Sequence, residues 1–196
     1  MKKAEIVLNT AKWLYEEKLV AGTSGNISMR KIDGNNESFL ITPSGFSYRL
    51  MAEEDIVEID VNGITKKPGQ KPSSEWRMHL EIYKKYPNIN AIVHTHSPFA
   101  TGFAVNRQDI PLILIEMKPF LGGDIKVVPF KPAGSLELGQ AIIPYLEKSN
   151  SCLLANHGTI SCGKNMEEAS IASVYVEDAA KIYYYAKTSG TPVILE

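Results

Sequence analysis

Apolar side chains at Ile6, Val7, Ala11, Leu14 and Tyr15 recur every three or four positions, so the chain opens with an amphipathic helix reaching about residue 18. The period then changes. Phe39, Leu40 and Ile41 form a strand after a Gly34-Asn35-Asn36 turn, and residues 55–61 alternate apolar with acidic before Asn62-Gly63, a strong hairpin signal. The first half therefore carries a meander. Helical spacing returns at Trp76, Leu80 and Tyr83, predicting a helix to about residue 86 with Ser73 or Ser74 as its N-cap. Ile92 and Val93 then predict a strand that ends in His94-Thr95-His96. Beyond it the pattern gives a short helix over 99–105, apolar strands over 110–115 and 125–130, and a helix over 135–147. A strand ending at His157, a short one around Ile160 and a long helix over 166–187 complete the chain. No repeat or linker interrupts this mixture, which predicts one α/β domain over residues 1–196.

Composition narrows the class without naming a chemistry. With 44% apolar and 22% charged residues, the 196-residue chain can bury a proper core. A net charge of -1 gives no overall field for nucleic acid or an anionic membrane. No secretory leader pattern or membrane-length apolar run is visible, so the expected location is cytoplasmic. Cys152 and Cys162 are too far apart for a Cys-x-x-Cys pair and read as buried thiols.

The candidate chemistry lies at strand ends. Alternate side chains of a strand share a face, so His94 and His96 point the same way. His157, before Gly158, ends a second apolar strand. Three neutral imidazoles with an open position would let zinc act as a Lewis acid, whereas a lone strand histidine is more often a hydrogen-bonded core or surface residue than a ligand.

Around them lie three small polar turns: Gly22-Thr23-Ser24-Gly25-Asn26, Thr42-Pro43-Ser44-Gly45 and the Ser73-Ser74 helix start. The first can turn backbone amides and the Asn26 side-chain amide toward an anion, or can be a plain helix-to-strand loop. A helix start preceded by polar turns is a natural seat for phosphate. Glu75, in the first turn, complements the helix dipole or serves the site. His79, one turn on, reads as a surface or packing residue. Glu116 follows an apolar run, either as a functional acid with a raised pKa or at an exposed strand end.

Taken in order, Gly22-Thr23-Ser24-Gly25-Asn26, Thr42-Pro43-Ser44-Gly45, Ser73-Ser74-Glu75, His94-Thr95-His96 and Asn156-His157-Gly158 resemble the class II, zinc-dependent aldolase family. That family contains L-fuculose-1-phosphate aldolase and L-ribulose-5-phosphate 4-epimerase. The resemblance spans nearly the whole chain. It implies a single domain with a mixed, mainly antiparallel central sheet flanked by helices. It also implies one Zn2+ per subunit on His94, His96 and His157, with Glu75 as fourth ligand or as an acid/base that moves off when substrate chelates. Gly25, Asn26, Ser44, Gly45, Ser73 and Ser74 match the positions that bind a sugar's phosphate. The implied reaction is cleavage of a 1-phosphoketose such as L-fuculose 1-phosphate to dihydroxyacetone phosphate and lactaldehyde through a stabilised enediolate, by a homotetramer.

Two departures shape the expectation. The epimerase branch usually has an aspartate where Glu75 stands and a His-Ala-Asp-Tyr type stretch where this chain has Ile115-Glu116-Met117-Lys118, which argues for the aldolase branch. That branch has a tyrosine near the place of Glu116 and another on a C-terminal tail, about where this chain stops, so Glu116 is the candidate acid there. An acid in this stretch also resembles methylthioribulose-1-phosphate dehydratases, the enzymatic alternative. A non-catalytic module like the adducin head is the alternative from another class, and loss of ligands would mark it. All three histidines and Glu75 are present.

Overall fold

A computed structural model describes residues 2–196, and Met1 lies outside the described residues. Helix α1 (Lys3–Glu16) leads into β1 (Asn26–Asp33), β2 (Asn36–Ile41) and β3 (Val57–Asp60), the expected meander. Then follow α2 (Trp76–Lys85), β4 (Ala91–Thr95), α3 (Pro98–Val105), α4 (Met117–Leu121) and β5 (Val127–Val128). Helix α5 (Leu136–Ile142), β6 (Ser151–Leu154), β7 (Gly158–Gly163) and α6 (Met166–Ser189) complete the domain. The strands form one seven-stranded sheet in the order β3-β2-β1-β4-β7-β6-β5. Every pairing is antiparallel except β5 with β6.

Strand alternation explains why both faces of the sheet are covered. Phe39, Ile41, Ile92, Cys152, Leu154 and Ile160 point to one face, where Met78, Ile82, Leu138 and Ile142 of α2 and α5 meet them. Leu40, Ala91 and Val93 point to the other, against α1 and the start of α6. Leu153 on that same side packs with α3, α4 and the middle of α6. Because His94 lies two residues after Ile92, it must project toward the α2 face. That places an imidazole at the start of α2, where Glu75 is the N-cap residue.

Two expected strands shrink. In the 110–115 run only Ile110 pairs, with Ile125, as an isolated bridge. Pro111 has no N–H to extend the ladder, and Leu112 donates instead to the Asp124 carboxylate at 2.9 Å. The run is apolar because Ile110 and Leu112 fill the core under α6, not because it is a strand. The expected 125–130 strand is limited to Val127–Val128 by Pro129. Both cysteines are buried free thiols, as read from the sequence. Among the described residues, no helix is long and apolar enough to cross a membrane.

Candidate metal centre and active site

Strand β4 fixes the first two imidazoles. His94 is paired with Asn26 on β1 and with Ile160 on β7, so its backbone is held on both sides, and its side chain is wholly buried. His96 lies just past the strand, where its N–H donates to the Leu19 carbonyl at 3.2 Å. His157 comes from the turn between β6 and β7, where Asn156 adopts a left-handed φ of 54°. Gly158 then starts β7 against β4. A Cβ there would stand 2.2 Å from the Thr95 carbonyl oxygen and 2.9 Å from the His96 ring, so only glycine lets the two strands and both rings close up.

One ligand atom each from Glu75, His94, His96 and His157 lies within 4.8 Å of all the others. His94 Nε2 is 3.1 Å from Glu75 Oε2, and His157 Nε2 is 3.2 Å from Glu75 Oε1. His96 Nε2 is 3.0 Å from His94 Nε2. His94 donates its Nδ1 hydrogen to the Thr159 carbonyl at 2.7 Å, which leaves Nε2 as a bare lone pair. That lone pair faces a carboxylate oxygen, while Glu75 Oε1 is buried without a hydrogen-bond partner. Lone pairs facing each other repel unless a cation lies between them. Zinc at about 2.1 Å from each of four tetrahedral ligands would set those ligands roughly 3.4 Å apart, and three of the separations here are 3.0, 3.1 and 3.2 Å, with all four atoms within 4.8 Å. The donor set therefore fits one divalent ion.

Electrostatics agree with a cation site. Burial pushes the Glu75 carboxyl pKa up, but the adjoining His94 and His157 pull it down further, so it stays a carboxylate. Burial, with the neighbouring His94 and His157, lowers His96 to about 3 and keeps its imidazole neutral, the form that ligates metal.

The three polar turns are stitched together beside this cluster. Ser44 N donates to the Lys71 carbonyl and Ser73 N to the Thr42 carbonyl, both at 3.0 Å. Thr42 N in turn donates to the Ile27 carbonyl at 3.0 Å, and Ile27 N to Thr42 Oγ1 at 3.2 Å. Gly25 has a φ of +77°, and a Cβ there would meet the His94 carbonyl oxygen at 2.7 Å, so the first turn can lie on β4 only as glycine. Gly45 also has positive φ, at +66°. Gly25, Asn26, Ser44, Gly45, Ser73 and Ser74 thus come from three segments joined by backbone hydrogen bonds next to the histidines.

Several side chains differ from their expected use. Ser73 Oγ accepts from Glu75 N at 3.3 Å, while the N-cap position itself belongs to Glu75. The Asn26 amide, expected to face an anion, donates to Glu75 Oε2 at 2.9 Å and accepts from His79 through Oδ1, leaving one amide hydrogen over. His79 is not a surface residue. It is buried, with both ring nitrogens bonded, to Asn26 at 2.5 Å and Ser28 at 2.7 Å. Helical spacing left it as a surface or packing residue and could not show partners 51 and 53 residues away. Glu116 is half-buried at the N-cap of α4, outside the four-ligand group, and its side chain makes no hydrogen bond among the described residues.

Comparison with known proteins agrees with this geometry. The family described as class II aldolase and adducin N-terminal domain matches residues 5–184. An L-fuculose phosphate aldolase of Haemophilus influenzae is 35% identical, over 100% of this chain and 89% of its own. A 5-methylthioribulose-1-phosphate/5-deoxyribulose-1-phosphate aldolase of Rhodospirillum rubrum is 36% identical, over 96% of this chain and 83% of its own. A solved structure of L-fuculose 1-phosphate aldolase superposes with a TM-score of 0.92 at 36% identity, covering 99% of this chain and 90% of the other. Matched along nearly its whole length in both sequence and fold, the chain belongs to the class II aldolase family and is an aldolase, a carbon–carbon lyase.

Proposed function

We propose that the protein reversibly cleaves L-fuculose 1-phosphate to dihydroxyacetone phosphate and lactaldehyde, with one Zn2+ per chain on His94, His96 and His157. The observation that carries this reading is the convergence of the His94, His96, His157 and Glu75 lone pairs beside three joined polar turns. The bound ion supplies Lewis-acid polarisation of the sugar's carbonyl and hydroxyl oxygens. The protein's own groups do the rest. Glu75, once off its ligand position, would take up a proton from solvent; when the C3–C4 bond breaks, its electron pair stays on C3 beside the carbonyl, and Glu75 gives that proton to C3. In the reverse direction the Glu75 carboxylate removes that proton. Glu75 also serves as the fourth ligand until substrate displaces it. Gly25, Asn26, Ser44, Gly45, Ser73 and Ser74 hold the phosphoryl group with neutral donors, fixing the sugar's direction.

Glu116 is assigned the aldehyde-side proton, from and to the C4 hydroxyl, on the family resemblance alone. A homotetramer in the cytoplasm completes the reading. Exposed apolar side chains at Leu50, Ile115, Phe120, Phe130 and Leu136 support self-association, because such groups are costly to leave in water.

The name of the Rhodospirillum rubrum relative favours a second substrate for the same step: 5-methylthioribulose 1-phosphate or 5-deoxyribulose 1-phosphate, also cut between C3 and C4. Zinc-loaded protein offered each of the three ketose 1-phosphates separates the readings by the rate of dihydroxyacetone phosphate release. Fastest release from L-fuculose 1-phosphate supports the first reading, and fastest release from a 5-substituted ribulose supports the second. Loss of water without dihydroxyacetone phosphate contradicts both and identifies a dehydratase.

A further inference from the structure

Four buried polar side chains that the aldol reading does not use as reactants lie in one unbroken line behind Glu75. Tyr83 OH is 2.8 Å from Ser28 Oγ, Ser28 Oγ is 2.7 Å from His79 Nδ1, and His79 Nε2 is 2.5 Å from Asn26 Oδ1. Asn26 Nδ2 then reaches Glu75 Oε2 at 2.9 Å. Each member is at most 2% exposed, so no water competes for these bonds.

The direction of every proton follows from the carboxylate. Glu75 accepts only, so the Asn26 nitrogen must face it and Asn26 Oδ1 must face His79. His79 Nε2 therefore carries the hydrogen, and Nδ1 is a lone pair that accepts from Ser28. Ser28 has spent its only hydrogen and accepts from Tyr83. No donor is used twice and no acceptor lacks one. The two groups that could break the pattern by titrating are held in place. Burial raises the Tyr83 pKa, keeping its hydroxyl a donor, and burial with the neighbouring His94 lowers His79 to about 3, keeping it neutral.

The relay leaves the two Glu75 oxygens unequal. Each faces one imidazole, Oε2 the His94 Nε2 at 3.1 Å and Oε1 the His157 Nε2 at 3.2 Å, but Oε2 alone is also held by the Asn26 amide at 2.9 Å. We propose that the Tyr83–Ser28–His79–Asn26 line is a positioning device, with His79 as its central residue, that clamps Glu75 by Oε2 and reserves Oε1 as the oxygen that exchanges between ligand and C3 proton. This rests on the aldol reading of the site. A carboxylate held by one oxygen can swing its other oxygen between two partners without leaving the pocket, whereas an unclamped carboxylate can offer either oxygen or rotate away.

The experiment has two arms on zinc-loaded protein. In the first, 15N-histidine spectra of the wild type report which His79 nitrogen carries the hydrogen. The Nε2–H form is expected. The Nδ1–H form overturns the relay, because Asn26 would then have to present oxygen to a carboxylate. In the second, His79→Phe keeps the ring volume but removes the Nε2 donor. It is expected to lower kcat for cleavage ten-fold or more, with KM within about two-fold and one zinc per chain retained. His79→Gln, whose amide can donate to Asn26 Oδ1, is expected to recover a substantial part of kcat. Wild-type kcat in His79→Phe, or equal kcat losses in both variants, overturns the proposal. Should His79→Phe not fold, the tautomer decides alone. Failure of the aldol reading would show as zinc-loaded wild type that cleaves no ketose 1-phosphate, and the tautomer measurement does not depend on that result.

Discussion

His94 donates its Nδ1 hydrogen to the backbone carbonyl of Thr159 at 2.7 Å, and this bond decides which nitrogen is left for a metal. Because the acceptor is main chain, no side-chain substitution at 159 removes it. The Thr159 hydroxyl bonds the Thr95 hydroxyl at 2.8 Å instead. Thr159→Val should therefore keep full metal content while costing about 1–2 kcal/mol of stability for the unpaired Thr95 hydroxyl. Metal analysis and urea denaturation on the same sample check both halves.

Gly158→Ala should do the reverse. Its new Cβ would press on the Thr95 carbonyl and the His96 ring, and backbone on both strands must move to make room. The expected result is a folded protein, destabilised by about 1–3 kcal/mol, whose zinc affinity falls ten-fold or more. Competition with a chromogenic chelator measures the affinity. Unchanged affinity would mean that β4 and β7 can separate without disturbing the imidazoles.

The contrast between those two positions shows what sequence can carry. Local patterns placed nearly every helix, the meander and the His94/His96 strand, because 3.6-residue and 2-residue periods are set by neighbours in the chain. The motif order singled out His94, His96, His157 and Glu75, and the structure brings one ligand-capable atom of each within 4.8 Å of the others. The apolar 110–115 run was misleading because hydrophobicity reports burial, not hydrogen bonding, and Pro111 decided the latter. The Asn26–His79–Ser28–Tyr83 contacts were invisible for a different reason. They join β1 to α2 across about fifty residues, and nothing in local spacing encodes such a pairing.

His79 also predicts how stability responds to acid. Its pKa is 6.5 for the unperturbed side chain and about 3 in the fold, where burial and then His94 lower it. Between those values the unfolded chain binds the extra proton, so acid favours unfolding. The stabilisation from keeping His79 neutral is complete above pH 6.5 and is lost as pH falls toward 3. His79→Gln should flatten the stability profile between about pH 6 and 4, by up to about 1.4 kcal/mol per pH unit relative to wild type. Denaturant midpoints across that range supply the measurement, and parallel profiles would show that His79 takes up its proton without cost.

Arg30 is a structural pin. Its guanidinium donates to the Tyr83 carbonyl at 2.7 Å, to Tyr86 at 3.2 Å and to Ile89 at 3.0 Å, and it pairs with Glu37. Those bonds tie the end of α2 to β1. Arg30→Met should cost about 3 kcal/mol, since the buried Tyr83 carbonyl and the partly buried Ile89 carbonyl lose the guanidinium donor, while kcat of the molecules that remain folded stays near wild type. Calorimetry with active-site titration separates the two effects.

The most direct measurement is metal stoichiometry joined to activity. Protein stripped by a chelator and titrated with zinc should bind one ion per chain and regain cleavage of a ketose 1-phosphate in step with that ion. His157→Ala should lose both together. Metal-free protein that still releases dihydroxyacetone phosphate, or wild-type protein that binds no zinc, would contradict the account.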